Sequence, residues 1–231
     1  PVTIEDAKSI FKATKSAAEK SKSLDVIVCP PFVYLSTVLK TESDSVSIGS
    51  QDSFFESQGS FTGEISPLML KNMGVKYSIV GHSEKRAKGD TDENISKKVA
   101  MLLDLGIKTI LCFGEKERSE DGAHLDFLKN QIKNSLNKVS RKNINNLIIA
   151  YEPVWAIGAK IYKMSIYNRK ILTDLYGQDT AVATPVLYGG SVNFRNAAEI
   201  FTKGQIDGLL VGRESVNISG FKELLKAVDS I

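Results

Sequence analysis

Short apolar segments rich in β-branched residues alternate with longer stretches of helical spacing along the whole sequence. Near-continuous apolar strands separated by helices are typical of a parallel sheet that is covered by helices. No Pro- or Ser-rich linker interrupts this alternation, so we predict a single α/β domain over residues 1–231. The predicted strands are Asp25–Cys29, Val46–Ser50, Tyr77–Val80, Thr109–Cys112, Leu147–Tyr151, Val186–Tyr188 and Gly208–Val211.

The first predicted element is a helix instead of a strand. Thr3 is a suitable N-cap for it, and one face at helical spacing is then formed by Ile4, Ala7, Phe11, Thr14 and Ala18. A parallel barrel normally closes with eight βα units. We therefore predict a (β/α)8 barrel whose first β-strand is absent from this chain. Either the natural protein begins before Pro1 or the barrel lacks one strand.

The composition is that of an ordinary soluble protein. Thirty basic and 27 acidic side chains give a net charge of +3, without the Lys/Arg block of a nucleic-acid surface. No apolar run approaches the roughly 20 residues of a membrane helix, and the polar N-terminus does not resemble a signal peptide. We expect a cytoplasmic protein that binds neither nucleic acid nor membrane, with Cys29 and Cys112 buried and reduced.

The residues that follow the strands carry the chemistry, because the active site of such a barrel lies at the carboxyl ends of its strands. One imidazole, one carboxylate and two glycine-containing turns are predicted at this edge. Such a set can move a proton next to a carbonyl while backbone N–H groups hold a phosphate. The segments are Gly81–Arg86, Glu152–Gly158, Gly189–Ser191 and Gly212–Arg213.

These segments belong to longer stretches that closely resemble triose-phosphate isomerase. The main matches are Ile79–Glu84, Ala150–Gly158 and Leu187–Val192. They appear in the order of that family and, with the weaker matches, span nearly the whole chain. The resemblance implies a TIM barrel acting in glycolysis and gluconeogenesis. The weaker matches are Cys29–Phe32, Phe61–Ser66, Cys112–Glu115 and Asp207–Gly212.

The resemblance also implies a role for each residue of the site. Glu152 would be the base that carries a proton between C1 and C2 of a triose phosphate. His82 would be the neutral electrophile that polarises the carbonyl, a property that this family owes to a helix N-terminus. Glu84 would be a buried helper. Backbone contacts to the phosphate would come from Gly158, Ser191, Gly212 and Arg213, with support from Gly189 and Gly190.

Each residue has a simpler interpretation when it is taken alone. Glu152 would be a solvated loop carboxylate, and His82 a structural histidine. The pair Gly189-Gly190 would indicate a turn that needs positive φ, and His124 would lie on the surface. A metal is not expected, because the chain has two histidines and neither has a partner at ligand spacing. The resemblance implies no organic cofactor.

Two departures from the family pattern leave other functions open. No Asn-x-Lys motif precedes the first helix, and the closing loop after Gly158 continues with Ala159–Met164 in a shortened segment. A lost cation and a shortened lid would impair catalysis and protection of the enediolate. One alternative is therefore a catalytically impaired or non-catalytic phosphate-binding barrel of the same family. Another sugar-phosphate enzyme, such as an epimerase or lyase, fits the motifs poorly.

A long loop, Gln51–Ser66, carries three aromatic residues among Gly and Ser: Phe54, Phe55 and Phe61. Taken alone, these residues could fold onto their own barrel. In the family that the chain resembles, this loop enters a pocket of a second subunit. The resemblance therefore predicts a homodimer formed through the 51–66 loop.

Overall fold

The computed structural model describes residues 1–41, 44–119, 121–153 and 161–231, without the side chains of residues 161–163. Its strands are β1 (Val26–Val28), β2 (Val46–Ser50), β3 (Tyr77–Val80), β4 (Lys108–Phe113), β5 (Leu147–Tyr151), β6 (Val186–Tyr188) and β7 (Gly208–Leu209). Its α-helices are α1 (Ile4–Ala18), α2 (Phe32–Leu39), α3 (Pro67–Asn72), α4 (Ser83–Ala87), α5 (Asp92–Asp104), α6 (Ala123–Ser135), α7 (Ile161–Tyr176), α8 (Gln178–Ala183), α9 (Ala197–Gly204) and α10 (Ile218–Asp229).

The seven strands within the described residues form one parallel sheet in the order β1 to β7, so each strand pairs with its successor in the chain. This confirms the predicted parallel α/β barrel architecture, which is curled here as a half-barrel with flanking helices. Strand β4 is longer than predicted and β7 is shorter. Because all strands run in one direction, their carboxyl ends lie together at one edge, which we call the catalytic rim.

The first helix begins where the sequence predicts it. The Thr3 hydroxyl accepts a hydrogen bond from the Asp6 N–H at 3.0 Å, which satisfies one of the free donors of the first turn. The predicted inward face is confirmed for Ala7, Phe11 and the residues that follow it at helical spacing. Ile4 is an exception, since 46% of its surface is exposed.

Helix α1 packs against α10, which connects the two ends of the sheet through the helical layer. The loop after α1 strengthens this contact. The hydroxyl groups of Ser21 and Ser23 donate hydrogen bonds to Asp229 Oδ1, with oxygen–oxygen distances of 2.5 and 2.9 Å. These hydrogen bonds lower the pKa of Asp229.

Apolar side chains occupy both faces of the sheet. On β4, Leu111 and Phe113 belong to the large core between the sheet and the helices. Ile110 and Cys112 alternate with them and belong to a smaller cluster on the other face. The strands are almost continuously apolar because both faces of the sheet are buried. In the part of the chain that the structure describes, no helix is long and apolar enough to cross a membrane.

The buried amide of Asn168 has no hydrogen-bond partner among the residues that the structure describes. Asn168 on α7 is 0% exposed, and neither its Nδ2 nor its Oδ1 has a hydrogen-bond partner in the structure. We expect Asn168→Leu to raise the free energy of unfolding by about 1–3 kcal/mol, because a buried amide without partners is costly and leucine has a similar volume. Urea denaturation of the purified variant would measure this gain.

Asn196→Leu is a matched control, since it makes the same substitution where the amide is used. Its side chain accepts a hydrogen bond from the Asn193 N–H at 2.8 Å and donates one to the Ser191 carbonyl at 2.9 Å. This variant should lose stability. An Asn168→Leu protein that unfolds at lower urea concentration than the wild type would show that the buried amide does not destabilise the fold.

Candidate active site

Glu152 is the first residue after β5, and its backbone is fixed by both neighbouring strands. Its N–H donates a hydrogen bond to the Phe113 carbonyl of β4 at 2.8 Å. On the other side, the Gly189 N–H donates to the Tyr151 carbonyl at 2.8 Å. The glutamate is only 4% exposed. It is therefore a buried carboxylate at the catalytic rim and not the solvated loop residue that the position alone would indicate.

The carboxylate of Glu152 reaches the segment that follows β3. Its Oε1 lies 3.0 Å from His82 Nε2, and its Oε2 accepts a hydrogen bond from the Ser83 N–H at 2.9 Å. The structure thus brings together the two residues that the sequence predicts as base and electrophile. They come from strands that are not adjacent in the sheet.

His82 caps the short helix α4. Its Nδ1 accepts a hydrogen bond from the Glu84 N–H at 3.3 Å. An accepting nitrogen carries no proton, so the ring proton lies on Nε2 and is directed to Glu152. The hydrogen bond to Glu152 raises the pKa of His82, and burial opposes this effect. The backbone N–H at Nδ1 also disfavours a second ring proton.

Glu84 is not the buried helper that the resemblance implies. Its side chain is exposed on α4, because α4 is a single short helix with no buried residue. The part of Glu84 that serves the site is its backbone N–H at His82 Nδ1. The expectation of a buried carboxylate here is therefore wrong.

Glycine is required at positions 189 and 190 because an added side chain would not fit, and not because the backbone is left-handed there. Neither has the positive φ that the pair suggests in isolation. A Cβ atom on Gly189 would lie 2.9 Å from Cγ of Glu152, and one on Gly190 would lie 2.3 Å from the Tyr188 hydroxyl. Such contacts are shorter than side chains tolerate. The absence of a side chain at Gly189 therefore leaves space for the side chain of Glu152.

Gly81, directly before His82, does need its conformational freedom. Its φ of +74° is left-handed, and a Cβ there would also lie 3.0 Å from the Cys112 carbonyl. The turn at Gly81 directs the chain from β3 into α4. His82 is placed over Glu152 by this turn.

Arg86 connects the ends of β3 and β4, a role that sequence reasoning missed. Its Nε donates to the Gly81 carbonyl at 2.7 Å, and its Nη2 donates to the Cys112 carbonyl at 3.1 Å. Asp92 accepts from Nη1 at 2.5 Å and neutralises the charge. The only sequence signal was its position in the run Gly81–Arg86. The guanidinium holds the turn that carries His82.

Gly114 is a second residue that sequence reasoning did not single out. A Cβ atom there would lie 1.9 Å from the backbone oxygen of Glu152. The backbone of Gly114 is also held from the other side, since its N–H donates to Gln131 Oε1 at 2.9 Å. Its place directly after β4 was the available signal. The ends of β4 and β5 can meet only because this residue has no side chain.

Both cysteines are free thiols, and of the two that were predicted to be buried only Cys112 is fully so. Cys112 is fully buried, and burial together with the neighbouring Glu152 carboxylate raises its pKa well above the ordinary value. Cys29 is partly buried, and burial of its thiol raises the pKa to about 12. Neither thiol is therefore a nucleophile at neutral pH.

Three of the residues predicted to contact the phosphate, Ser191, Gly212 and Arg213, lie on the same catalytic rim. Ser191 is exposed after β6, and its carbonyl accepts a hydrogen bond from Asn196 Nδ2 at 2.9 Å. Gly212 and Arg213 are exposed after β7, where a 3₁₀ helix begins at Arg213. Gly158 lies outside the described residues.

Known proteins are similar to this sequence over nearly its full length. The sequence profile of triosephosphate isomerase matches residues 2–228. Triosephosphate isomerase of Thermoanaerobacter pseudethanolicus is 42% identical over 216 residues, covering 89% of this chain and 87% of that protein. The Dehalococcoides mccartyi protein of the same name is 39% identical over 235 residues, covering 97% of this chain and 92% of its own length.

The fold, the rim and these relatives define the chain as an isomerase built on a parallel α/β barrel. The profile match and the extent of identity then specify the group within that class. The chain belongs to the triosephosphate isomerase family. The alternative of a non-catalytic barrel of this family is not favoured, because the relatives that cover most of the chain carry the enzyme's name.

Proposed function

We propose that this protein interconverts dihydroxyacetone phosphate and D-glyceraldehyde 3-phosphate through Glu152 and His82. The observation that carries the proposal is the 3.0 Å contact between Glu152 Oε1 and His82 Nε2 at the catalytic rim. A base and a proton donor on neighbouring positions are what an aldose–ketose isomerisation needs. The test is a coupled assay of isomerisation in both directions with the purified protein.

The reaction follows from the placement of these two groups. Glu152 takes a proton from C1 of the ketone, and the C1–H electron pair forms the double bond of an enediolate. The Nε2–H of His82 donates to the carbonyl oxygen and stabilises its developing charge. Protons then move between the two oxygens through His82, and Glu152 returns its proton to C2. The chain supplies all the proton carriers of this cycle.

The phosphate is proposed to bind through backbone N–H groups at Gly158, Ser191, Gly212 and Arg213. The described members of this set follow β6 and β7, at the edge of the sheet that also carries Glu152. Backbone donors at the start of short helical segments are suited to a phosphate. The Arg213 side chain is exposed at this edge, and its positive charge favours the same ligand.

Replacement of His82 tests the electrophile. We expect His82→Gln to lower kcat by about 10²-fold or more, because an amide donates a hydrogen bond but cannot carry protons between the substrate oxygens. Steady-state kinetics would measure the change. His124→Gln is the matched control, since it replaces the other histidine, on α6, and should leave kcat unchanged. Equal activity of the two variants would exclude His82 from the mechanism.

We propose that the enzyme is a homodimer formed through the 51–66 loop. In the monomer this loop packs its aromatic rings on one another, with Phe54 4.2 Å from Phe55 and 4.8 Å from Phe61 between ring centroids. Its beginning is fixed to the barrel by Asp52, which pairs with the buried Lys98 at 3.1 Å. Phe61 remains 43% exposed at the loop surface, and a second copy would cover it.

Sedimentation or light scattering at micromolar concentration tests this interface. We expect Phe61→Asp to shift the protein from dimer to monomer, because a buried charge without a partner opposes association. Phe127→Asp is the control on α6, where phenylalanine is 49% exposed, and it should remain dimeric. A monomeric wild type, or a dimeric Phe61→Asp protein, would contradict the proposal.

We further propose that residues 1–231 form one cooperative domain and that the enzyme works in cytoplasmic glycolysis and gluconeogenesis. The continuous hydrophobic core, which contains residues from both α1 and α10, supports a single folding unit. The substrates implied by the family are intermediates of those pathways.

A further inference from the structure

An open cleft of about 400 Å³ lies at the edge of the sheet opposite the catalytic rim. It is formed where β3, β4 and β5 begin, whereas Glu152 and His82 follow the ends of their strands. Its volume falls within the range of small-molecule pockets. The mechanism proposed above uses no residue of this cleft.

Three lysines and no acidic residue line the cleft: Lys71, Lys76 and Lys108. In the described part of the chain, none of these ammonium groups forms an ion pair with a carboxylate. Other lysines of the protein are paired, including the buried Lys98. Three uncompensated like charges around one cavity attract an anion and repel one another in its absence.

The lysines are attached to ordered parts of the barrel. The N–H of Lys108 donates to the Lys76 carbonyl at 3.0 Å, and the Lys76 N–H donates to the Ile48 carbonyl at 3.0 Å. Lys108 Nζ lies 3.4 Å from the hydroxyl of Tyr77 and 5.4 Å from the centre of its ring. This hydroxyl is a further donor for an anionic oxygen.

The cleft also has an apolar floor. Val75 and Ile107 are buried beneath it, and Leu105 completes its lining. A ligand that fits this surface combines several negative charges with a compact body. Phosphate groups are suited to lysine, which binds them as a point charge.

We propose that this cleft binds a small anion that carries two or more phosphate groups, independently of the catalytic rim. A ligand with several negative charges would neutralise the positive charge of the three lysines that line the cleft. The ligand class is thus defined by charge and by the size of the cavity.

Protection of individual lysines from acetylation by acetic anhydride, followed by mass spectrometry, tests the proposal. Millimolar pyrophosphate is the probe. We expect the modification of Lys71, Lys76 and Lys108 to slow by at least about threefold, because a bound anion covers the amines. Lys12, exposed on α1, is the internal control and should react at an unchanged rate. Because the readout is local, anion binding at the catalytic rim does not contribute to it.

A double variant, Lys76→Gln with Lys108→Gln, should raise the pyrophosphate concentration needed to protect Lys71 by at least about tenfold. Lys8→Gln with Lys12→Gln removes the same charge from α1 and should leave that concentration unchanged. Circular dichroism would establish that both proteins are folded. Equal slowing of all lysines, or no slowing of Lys76 and Lys108, would overturn the proposal.

Discussion

Glu152→Gln is expected to lower kcat by about 10³-fold while the protein remains folded. Glutamine has the shape of glutamate, and its amide oxygen can still accept the hydrogen bond that Ser83 donates at 2.9 Å. An amide does not take a proton from carbon at neutral pH. The variant therefore removes the base without creating a cavity in a site where Glu152 is only 4% exposed.

The loss should appear mainly in kcat, because the proposed phosphate contacts are made by other residues and the substrate should still bind. Glu199→Gln makes the same substitution on the exposed surface of α9, where the glutamate pairs with Lys203 at 2.8 Å. It should retain full activity. A Glu152→Gln enzyme with more than about a tenth of wild-type kcat would require another base.

Glu152→Gln should also lower the pKa of His82, because the hydrogen bond that His82 makes to the Glu152 carboxylate is the largest cause of its elevation. A raised folded-state pKa stabilises the protein below the ordinary histidine value of 6.5, and this contribution disappears as the pH rises through the folded pKa. The share of the stability difference that comes from His82 should therefore be largest at acidic pH. Titration of His82 by proton NMR would measure the change.

Gly114→Ala is expected to destabilise the fold by about 3 kcal/mol or more. The added Cβ would lie 1.9 Å from the backbone oxygen of Glu152, and the neighbour is main chain that no rotamer change can move. This steric clash can be relieved only if the ends of β4 and β5 separate. Separation strains the hydrogen bond from the Glu152 N–H to the Phe113 carbonyl, so the base moves as well.

Gly89→Ala measures what a methyl group costs where space is open. Gly89 has a φ of +99° and no atom within 4 Å of an added Cβ, so the penalty there is the left-handed backbone alone, about 1–2 kcal/mol. Urea denaturation of both variants would separate the two effects. If Gly114→Ala unfolds no more easily than Gly89→Ala, the close approach of the two strands does not hold in solution.

Much of the architecture is predictable from local pattern. Continuous β-branched runs mark strands that are buried on both faces, and helical spacing between them implies parallel strands. The role of Thr3 as a helix cap also follows from nearby residues. Since parallel strands end at one edge, the sequence also predicts that Glu152 and His82 lie at the same edge of the sheet. The family resemblance then assigns them roles.

The parallel sheet, its catalytic rim and the candidate base were all predictable from the order of residues along the chain. The packed structure was needed to show that Glu84 faces solvent, that Gly114 and Gly189 make room for Glu152, and that Arg86 holds the turn before His82. Local periodicity records which side of an element is apolar. It does not specify which atoms of segments distant in sequence come into contact after packing. The geometry of Glu152 depends on those contacts.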